Sequence, residues 1–313
     1  MSGAQAEATA GAPPGAAANA KPRRALVTGA SGFVGAALTR RLLADGWEVH
    51  LLLRASSAAD ALPPQAHVHR LDGSTLQLLD IMRAAAPDVV FHLASLFLAA
   101  HKPEDVERLV NANLLFGTQL VEAMAACGVK KLVNTGTSWE HYEDHPYNPV
   151  CLYAATKAAF TALLHFYTEV HQLRVVTLKL FDTYGAGDTR PKVLNLLKRV
   201  ANEGTSLGMS PGGQLVDLVY IDDVLDAFVL AAGQLDTQAN AIEEYGVSSG
   251  KPLPLKDIAA LYARVSGKPL NIEWGGRPYR EREVMVPWHS YRSVPGWQPK
   301  VALAEGLALF HNT

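Results

Sequence analysis

The chain of 313 residues carries a formal net charge of −2, and 49% of its residues are apolar, enough for one large domain or two modest ones. This nearly balanced charge gives no indication of a nucleic acid or an anionic membrane surface as a partner. The two cysteines, Cys127 and Cys151, are too few for a disulfide framework or a cysteine metal centre, which fits a reducing cytosol.

The first segment, residues 1–21, is rich in Ala, Gly and Pro and contains no aromatic residue. Such a segment cannot bury enough apolar surface to offset its chain entropy, so we predict a disordered tail. It lacks the basic start and the compact apolar run of a signal peptide, and no run of roughly 18 apolar residues follows it. We therefore expect a cytoplasmic protein without a membrane span.

From Arg24 onward, short apolar runs alternate with longer amphipathic stretches, a pattern typical of a parallel sheet covered on both faces. The predicted strands are 25–28, 49–53, 67–71, 89–94, 131–136 and 174–180, and the predicted helices are 36–44, 76–86, 104–127 and 153–170. We predict an α/β fold in which residues 22–180 form a Rossmann-type, doubly wound parallel sheet. Gly/Pro clusters follow, so residues 181–313 are predicted to form a smaller, mixed substrate-binding lobe, interleaved with the end of the sheet.

The stretch TGASGFVG, residues 28–35, follows the first predicted strand and opens the first helix. Glycines permit a tight turn and a close approach of the backbone to a pyrophosphate, whose charge is stabilised at a helix N-terminus. A purely structural turn is the alternative, but the position between strand and helix favours dinucleotide binding. The predicted cofactor contacts in this loop are Gly29, Ser31, Gly32, Phe33, Val34 and Gly35.

The end of the second predicted strand indicates which dinucleotide binds. NAD-binding folds place an acidic residue here for the ribose hydroxyls, whereas this chain has Leu53 followed by Arg54. Arg54 can pair with a 2′-phosphate, and Ser56 or Ser57 can donate hydrogen bonds to it. We therefore favour NADP(H) over NAD(H), with a solvated loop charge as the alternative for Arg54.

The stretch YAATK, residues 153–157, places Tyr153 and Lys157 four residues apart and hence on one face of a predicted helix. A nearby ammonium favours the phenolate, so we expect Lys157 to lower the pKa of Tyr153 and to make it a general acid or base. The alternative is that the pair is an inert turn of helix.

Several motifs together resemble the extended short-chain dehydrogenase/reductase family, which contains nucleotide-sugar epimerases, dehydratases and reductases. The resemblance extends from Arg24 to the C-terminus. It is carried by TGASGFVG, LDGS (71–74), FHLAS (91–95), Asn113, NTGTS (134–138), YAATK and LKLFDTYG (178–185).

The resemblance implies roles for matching residues. Asp72 and Gly73 would contact the adenine, although Asp72 could equally be a turn former before Gly73. Asn113 would tie a helix to the central strands near the site. Further cofactor contacts are predicted at Leu93, Ala94, Ser95, Thr135, Tyr153, Lys157 and Phe181.

The resemblance also implies the catalytic set. Ungapped alignment places Thr137 at the family's catalytic Ser/Thr position, with Thr135 and Ser138 as the alternatives if the register shifts. Thr137 and Tyr153 would hold the 4-oxygen of a sugar while hydride passes between the nicotinamide and the sugar carbon, and Lys157 would hold the nicotinamide ribose. No metal is required, and the histidines look too scattered along the sequence to form a metal cluster.

The motifs NTGTSWEHY, LYAATKAAF, VDLVYIDD and PYREREVM resemble the reductases of CDP- or dTDP-4-keto-6-deoxyhexoses, such as the paratose and abequose synthases. Predicted substrate contacts are Ser138, Asp182, Lys192 and Arg280, and Arg190 is a further candidate. Asp182 replaces the Asn usual in the family, and a carboxylate beside a pyrophosphate is unfavourable unless it is paired.

Three functions remain open at this point. The first is NADPH-dependent reduction of a nucleotide-linked 4-keto-6-deoxy sugar. The second is NAD-dependent 4-epimerisation of a nucleotide sugar, and the third is NADP(H) sensing without turnover. A 4,6-dehydratase is disfavoured because Ser138 and Trp139 replace its Asp-Glu pair.

The resemblance also implies a homodimer, since two helices of each subunit often form the dimer interface in this family and the helices 104–127 and 153–170 occupy their places. Both carry apolar residues beyond one core stripe: Leu114, Leu115, Phe116, Leu163, Leu164, Phe166 and Tyr167.

Overall fold

The computed structural model describes residues 21–57 and 62–313. The predicted tail, residues 1–21, lies outside the described residues apart from Lys21. Within the described ranges, no helix is both long enough and apolar enough to cross a lipid bilayer.

A seven-stranded parallel sheet lies at the centre of the fold. The strands of the chain are β1 (Arg24–Thr28), β2 (Glu48–Arg54), β3 (His67–Leu71), β4 (Val89–His92), β5 (Lys131–Thr137), β6 (Arg174–Leu180), β7 (Asp182–Tyr184), β8 (Ser206–Met209), β9 (Leu215–Val216), β10 (Leu218–Tyr220), β11 (Ile242–Val247), β12 (Leu253–Pro254) and β13 (Asn271–Trp274). The central sheet has the order β11-β6-β5-β4-β1-β2-β3. Since the order reverses between β1 and β4, a crevice forms there at the carboxyl ends of the strands.

Helices cover both faces of this sheet. They are α1 (Phe33–Ala44), α2 (Thr75–Ala85), α3 (Val106–Val110), α4 (Phe116–Ala126), α5 (Leu152–His171), α6 (Val193–Glu203), α7 (Ile221–Gln234), α8 (Leu255–Ser266) and α9 (Leu303–His311). Successive strand residues point to opposite faces, so Val27 packs in the core with Leu38 of α1 and Phe228 of α7, whereas Leu26 packs with Met82 of α2. The predicted Rossmann-type sheet is confirmed.

The chain after residue 180 contributes to both the sheet and the smaller lobe. β11 pairs with β6 at the edge of the central sheet, while β7 pairs with β10, β8 with β13, and β9 with β12. The lobe is therefore built from short two-stranded pairs and the helices α6, α8 and α9, next to the carboxyl ends of the central strands.

The predicted single helix over 104–127 is wrong in detail. The structure has a 3₁₀ turn at Pro103–Asp105, then α3, a π-helical turn at Asn111–Leu115, and α4. The π turn inserts an extra residue into the helix and so changes which side chains face inward. Asn113, inside this turn, is 1% exposed.

The apolar residues from which a dimer was predicted do not all lie on the surface. Leu164 and Tyr167 of α5 are buried in the core beside α4, because they continue its inward-facing stripe. Leu115 and Phe166 are 49% and 54% exposed and remain available for contact with a second chain.

The expectation that the histidines are scattered is wrong at one edge of the sheet. Glu48, His50 and His67 each place a ligand atom within 4.8 Å of the other two. The parallel pairing of β2 and β3 brings together residues that are about 20 positions apart in sequence.

Candidate active site

The predicted site residues gather at the carboxyl ends of β1, β4, β5 and β6, where the connecting loops meet. Gly29 adopts φ +75°, and a Cβ at this position would lie 2.6 Å from the backbone nitrogen of Ala94. A Cβ on Gly35 would overlap the carbonyl oxygen of Gly29. These two positions therefore require glycine, since the loop after β1 packs against the loop after β4 and against the first turn of α1.

The N-terminus of α1 fits the phosphates of a dinucleotide. Its N-cap residue, Gly32, has no side chain to accept hydrogen bonds from the first N–H groups of the helix. Ser31 is exposed beside it, and Phe33 and Val34 are half-buried. Free donors at a helix N-terminus, on a loop without bulky side chains, are the arrangement that binds a pyrophosphate.

The loop after β2 carries the predicted 2′-phosphate contacts. Arg54 and Ser56 are both exposed. Arg70 of the neighbouring strand β3 donates from Nη1 to the carbonyl oxygens of Ala55 (3.0 Å) and Ser57 (2.9 Å). Sequence reasoning missed this role of Arg70, which depends on the β2–β3 register that pairs Leu53 with Arg70.

Asp72 follows β3, and one of its carboxylate oxygens accepts a hydrogen bond within the same turn. The backbone nitrogen of Ser74 donates to Asp72 Oδ1 at 2.7 Å, and this hydrogen bond lowers the pKa of the carboxyl group. Gly73 adopts φ +101°. Both residues therefore form the turn that leads into α2, while the exposed Asp72 side chain lies near the end of β2.

Asn113 connects the loop after β4 to α5. Its Oδ1 accepts hydrogen bonds from Ser95 Oγ (3.0 Å) and Leu96 N (2.7 Å). Its Nδ2 donates to Leu96 O and to Thr156 Oγ1, both at 3.0 Å. These four hydrogen bonds fix Ser95 relative to the helix that carries Tyr153 and Lys157.

The Tyr153 phenol lies near two hydroxyl groups, those of Ser95 and Thr137, and both lower its pKa. Burial raises the pKa of Tyr153, the charges of Glu140 and Cys151 raise it further, and the two hydroxyls oppose the rise. The phenol is therefore neutral near pH 7 and holds a proton that it can donate.

Lys157, one helical turn after Tyr153, is 3% exposed. Burial lowers the pKa of Lys157 to about 8, and the charge of Glu140 opposes this effect. The expectation that Lys157 lowers the pKa of Tyr153 is wrong here, because burial of the phenol outweighs the interactions that favour phenolate. Behind Lys157, His92 is held neutral, since burial and the Lys157 charge lower its pKa to about 3.

Sequence reasoning missed a buried charged cluster directly behind Thr137. Glu140 Oε1 accepts a hydrogen bond of 2.8 Å from the backbone nitrogen of Thr137. Lys179 Nζ lies 3.3 Å from Glu140 Oε2, 3.2 Å from Glu244 Oε2 and 2.8 Å from His141 Nε2. The only signal in the sequence was a lysine within the apolar strand RVVTLKL, which requires a partner when it is buried.

A cavity of about 460 Å³ opens beside this centre, between the sheet and the C-terminal lobe. All the predicted substrate contacts line it: Ser138, Asp182, Lys192 and Arg280. Lys192 Nζ lies 3.1 Å from Asp182 Oδ1, so the Asp182 charge that was expected to disfavour a pyrophosphate is compensated.

The arginines near the cavity are held differently. Arg280 Nε lies 3.4 Å from Glu283 Oε2, and its guanidinium stacks over the Trp139 ring at 5.4 Å. Arg190 is bound by Asp188 through two hydrogen bonds, of 2.8 and 2.7 Å, so it has less freedom to bind substrate. Arg277, which sequence reasoning missed, also lines the cavity.

The remaining predicted cofactor contacts lie around the same crevice. Leu93 follows β4 directly and is half-buried. Phe181, after β6, is buried, and its ring lies parallel to that of Trp288 at 6.3 Å. The Thr135 hydroxyl in β5 is buried and has no hydrogen-bond partner among the described residues.

The chain is similar to known proteins over most of its length. Residues 25–243 match the NAD dependent epimerase/dehydratase family. The chain is 30% identical to a UDP-glucose 4-epimerase of Mycolicibacterium smegmatis, across 91% of this chain and 96% of the relative. It is 25% identical to a CDP-abequose synthase of Yersinia pseudotuberculosis, across 87% and 94%. The crystal structure of Thermus thermophilus UDP-glucose 4-epimerase with NAD superposes with a TM-score of 0.80 at 28% identity, covering 92% of this chain and 98% of that one.

The glycine loop, the Tyr153–Lys157 pair and the match over most of the chain lead to one conclusion. This protein belongs to the NAD dependent epimerase/dehydratase family.

Proposed function

We propose that the protein reduces the 4-keto group of a CDP- or dTDP-linked 4-keto-6-deoxy sugar with NADPH. The observation that carries the proposal is the position of Tyr153 next to the cavity of about 460 Å³: its ring lies 5.0 Å from that of Phe97, which lines the cavity together with Ser138. A neutral phenol next to two hydroxyl groups can donate a proton to an oxygen that develops negative charge.

Cofactor choice follows from the loop after β2. Arg54 is exposed at the end of the strand, and Arg70 holds the carbonyl groups of the next residues in place. A guanidinium at this position supports a 2′-phosphate, which NADPH has and NADH lacks. NADPH is the form that suits a net reduction.

Tyr153, Thr137 and Lys157 have separate roles in the proposed reaction. A bound nicotinamide supplies the hydride to the carbonyl carbon. Tyr153 donates its proton to the oxygen, and Thr137 donates a hydrogen bond that stabilises the developing alkoxide. Lys157, which is buried one helical turn after Tyr153, binds the ribose hydroxyls of the nicotinamide half.

Cations along the cavity support a diphosphate linkage in the substrate. Arg280, Arg277 and Lys192 line the cavity, and Asp182 holds Lys192 through an ion pair. Arginine can bind phosphate oxygens with two parallel hydrogen bonds, so we assign the diphosphate to Arg280 and Arg277 and the sugar end to the side nearer Ser138.

The test is turnover with defined substrates. Purified protein is mixed with CDP- or dTDP-4-keto-6-deoxyglucose and either NADPH or NADH, and the loss of reduced nicotinamide absorbance is followed. We expect NADPH consumption that matches the amount of 4-hydroxy sugar formed, at a rate lowered by roughly 10²-fold or more in Tyr153→Phe. Absence of turnover with both substrates would contradict the proposal.

The second candidate is an NAD-dependent nucleotide-sugar 4-epimerase, which the 30% identity to a UDP-glucose 4-epimerase favours. An epimerase returns the hydride to the same carbon, so nicotinamide absorbance shows no net change. Conversion of UDP-glucose to UDP-galactose, measured by chromatography without added NADPH, would establish this function in place of the reductase.

A further inference from the structure

Four metal-binding side chains share one face of the β2–β3 edge. Glu48 is the first residue of β2, and His67 is the first residue of β3. The parallel register pairs His50 with His67 and Leu52 with His69. Since alternate residues of a strand point the same way, Glu48, His50, His67 and His69 all face the side covered by α2.

The distances suit a transition-metal ion. One ligand atom from each of Glu48, His50 and His67 lies within 4.8 Å of the other two. His50 Nε2 lies 3.1 Å from Glu48 Oε1. Ligand atoms in a tetrahedral zinc site lie about 3.3 Å apart, given metal–ligand bonds of about 2.0–2.1 Å, so small side-chain rotations complete the geometry.

His69 orients the central ligand. Its Nε2 lies 3.0 Å from His50 Nδ1, so this second nitrogen of His50 is engaged while Nε2 points toward Glu48. A hydrogen bond to the nitrogen that does not bind the metal fixes the tautomer and ring orientation, as found around histidine ligands in proteins. The Arg24 guanidinium lies 3.5 Å from the other Glu48 oxygen, Oε2, whereas Oε1 faces His50 Nε2.

The cluster is remote from the candidate active site. It lies at the amino ends of β2 and β3, whereas the cofactor loop lies at their carboxyl ends, about 20 Å away along a seven-residue strand. His67 is exposed, so an ion at this position has open coordination sites for water and direct access from solvent.

We propose that Glu48, His50 and His67 bind a divalent transition-metal ion, with Zn²⁺ as the best match to two imidazoles and one carboxylate. Because β3 is the last strand of the sheet, the ion would join the edge strand to β2. An ion that binds only the folded chain stabilises it by mass action.

The experiment uses tag-free protein freed of metal by chelation, with Zn²⁺ titrated in by calorimetry. We expect one equivalent of Zn²⁺ to bind the wild-type chain and the control variant His101→Ala, whose side chain is exposed and lies outside the cluster. His67→Ala should lose this binding, and His69→Ala should weaken it by roughly 10–100-fold, because it removes only the orienting hydrogen bond.

Two further measurements, of the fold and of the Tm with and without Zn²⁺, separate loss of metal binding from loss of folding. His67 is exposed, so His67→Ala should retain the fold and the metal-free Tm of the wild-type chain. Zn²⁺ should raise the Tm of the wild-type chain, EDTA should reverse the rise, and neither should change the Tm of His67→Ala. Equal Zn²⁺ affinity of the wild-type chain and His67→Ala, or no binding by either, would overturn the proposal.

Discussion

Single side chains at the centre of the site have their proton affinities set by burial. The phenol of Tyr153 keeps its proton, and Lys157 releases its proton at a lower pH than an exposed lysine does, because charge is unfavourable in a buried environment. A protonated phenol suits the start of a reduction. A bound cofactor ribose and substrate oxygen would add further polar partners for both side chains.

The first prediction concerns Tyr153→Phe. This variant keeps the packing of the ring but removes the proton, so turnover on a 4-keto nucleotide sugar should fall by roughly 10²–10⁴ or more. NADPH affinity, measured by fluorescence titration, should stay within about twofold. Near-normal turnover of Tyr153→Phe would show that the YAATK segment has no catalytic role.

Thr137→Ala should be milder than Tyr153→Phe. It removes one hydrogen bond to the developing alkoxide, which corresponds to a loss of roughly 10²–10³ in kcat, as for a single oxyanion donor. Thr137→Ser is the matched control, since it keeps the hydroxyl, and its kcat should stay near that of the wild-type enzyme. Equal losses of kcat in the Ala and Ser variants would show that the Thr137 hydroxyl has no catalytic role.

The loop after β2 gives a prediction on cofactor choice. Arg54→Ala should weaken NADPH binding by about 1.5–3 kcal/mol, the range of a charge-assisted contact, and leave NADH binding nearly unchanged. Fluorescence titration of both cofactors measures the difference, with Arg40→Ala on the exposed face of α1 as the control. Similar losses for NADPH and NADH would contradict the assignment of the 2′-phosphate.

Lys157 should reduce the stability of the cofactor-free protein. Its pKa falls from 10.5 to about 8 on folding. Below pH 8 the buried charge therefore lowers the free energy of unfolding by up to about 3 kcal/mol. The unfolded chain holds this proton more tightly, and stability therefore rises as the pH increases from 8 to 10.5. Lys157→Met should raise the free energy of unfolding at pH 7, and the gain should shrink toward pH 10.

Urea unfolding at both pH values measures this effect, with the exposed Lys251→Met as the control. A lower stability of Lys157→Met at pH 7 would show that Lys157 has favourable partners in the free protein. The same variant should lose turnover, since it also loses the predicted contact with the ribose.

At the scale of secondary structure, six of the seven central strands were predictable, whereas β11 and the strands of the lobe were not. The six sequence-predicted strands lie within two residues of β1 to β6, and all but β3 (HVHRL) are short, mostly apolar runs with clear ends. The short strands β7 to β10, β12 and β13 have no such local pattern, since each exists through pairing with a distant segment. The π turn around Asn113 could not be predicted either, because one extra residue in a helix hardly changes the spacing of apolar residues in the sequence.

The candidate site shows the same division. The glycine loop and the Tyr153–Lys157 pair were identifiable because their spacing alone brings the groups together. The cluster of Glu140, Lys179 and Glu244 was not, since it joins the turn after β5 to β6 and β11. Only the order of strands in the sheet makes these three residues neighbours.

This cluster gives a prediction at the element scale. Lys179→Met leaves the buried Glu140 without its cation, so it should lower the free energy of unfolding by about 3–5 kcal/mol. The double variant Lys179→Met with Glu140→Gln removes both charges and should be more stable than Lys179→Met alone. Urea unfolding of the two single variants and the double variant measures the coupling, and strictly additive losses would contradict it.

At the scale of the whole molecule, the two ends of the sheet have different chemistry. The carboxyl ends of the strands carry the glycine loop, the proton donor and the cavity, while the amino end of the β2–β3 edge carries the imidazole cluster. The outer face of α5 and the π turn before α4 carries exposed apolar residues, including Phe166 and Leu115. Their exposure is the observation that supports association of two chains.

We expect a homodimer through this face, with Phe166 and Leu115 packing against the same surface of a second chain, as two-fold symmetry requires. Phe166→Glu should place a charge in that interface and yield a monomer with an unchanged circular dichroism spectrum. Leu309→Glu is the control, because Leu309 is 44% exposed on α9, which packs on the opposite face of the sheet. Light scattering at micromolar concentration measures the mass, and a wild-type mass of one chain, 33.6 kDa, would contradict the dimer.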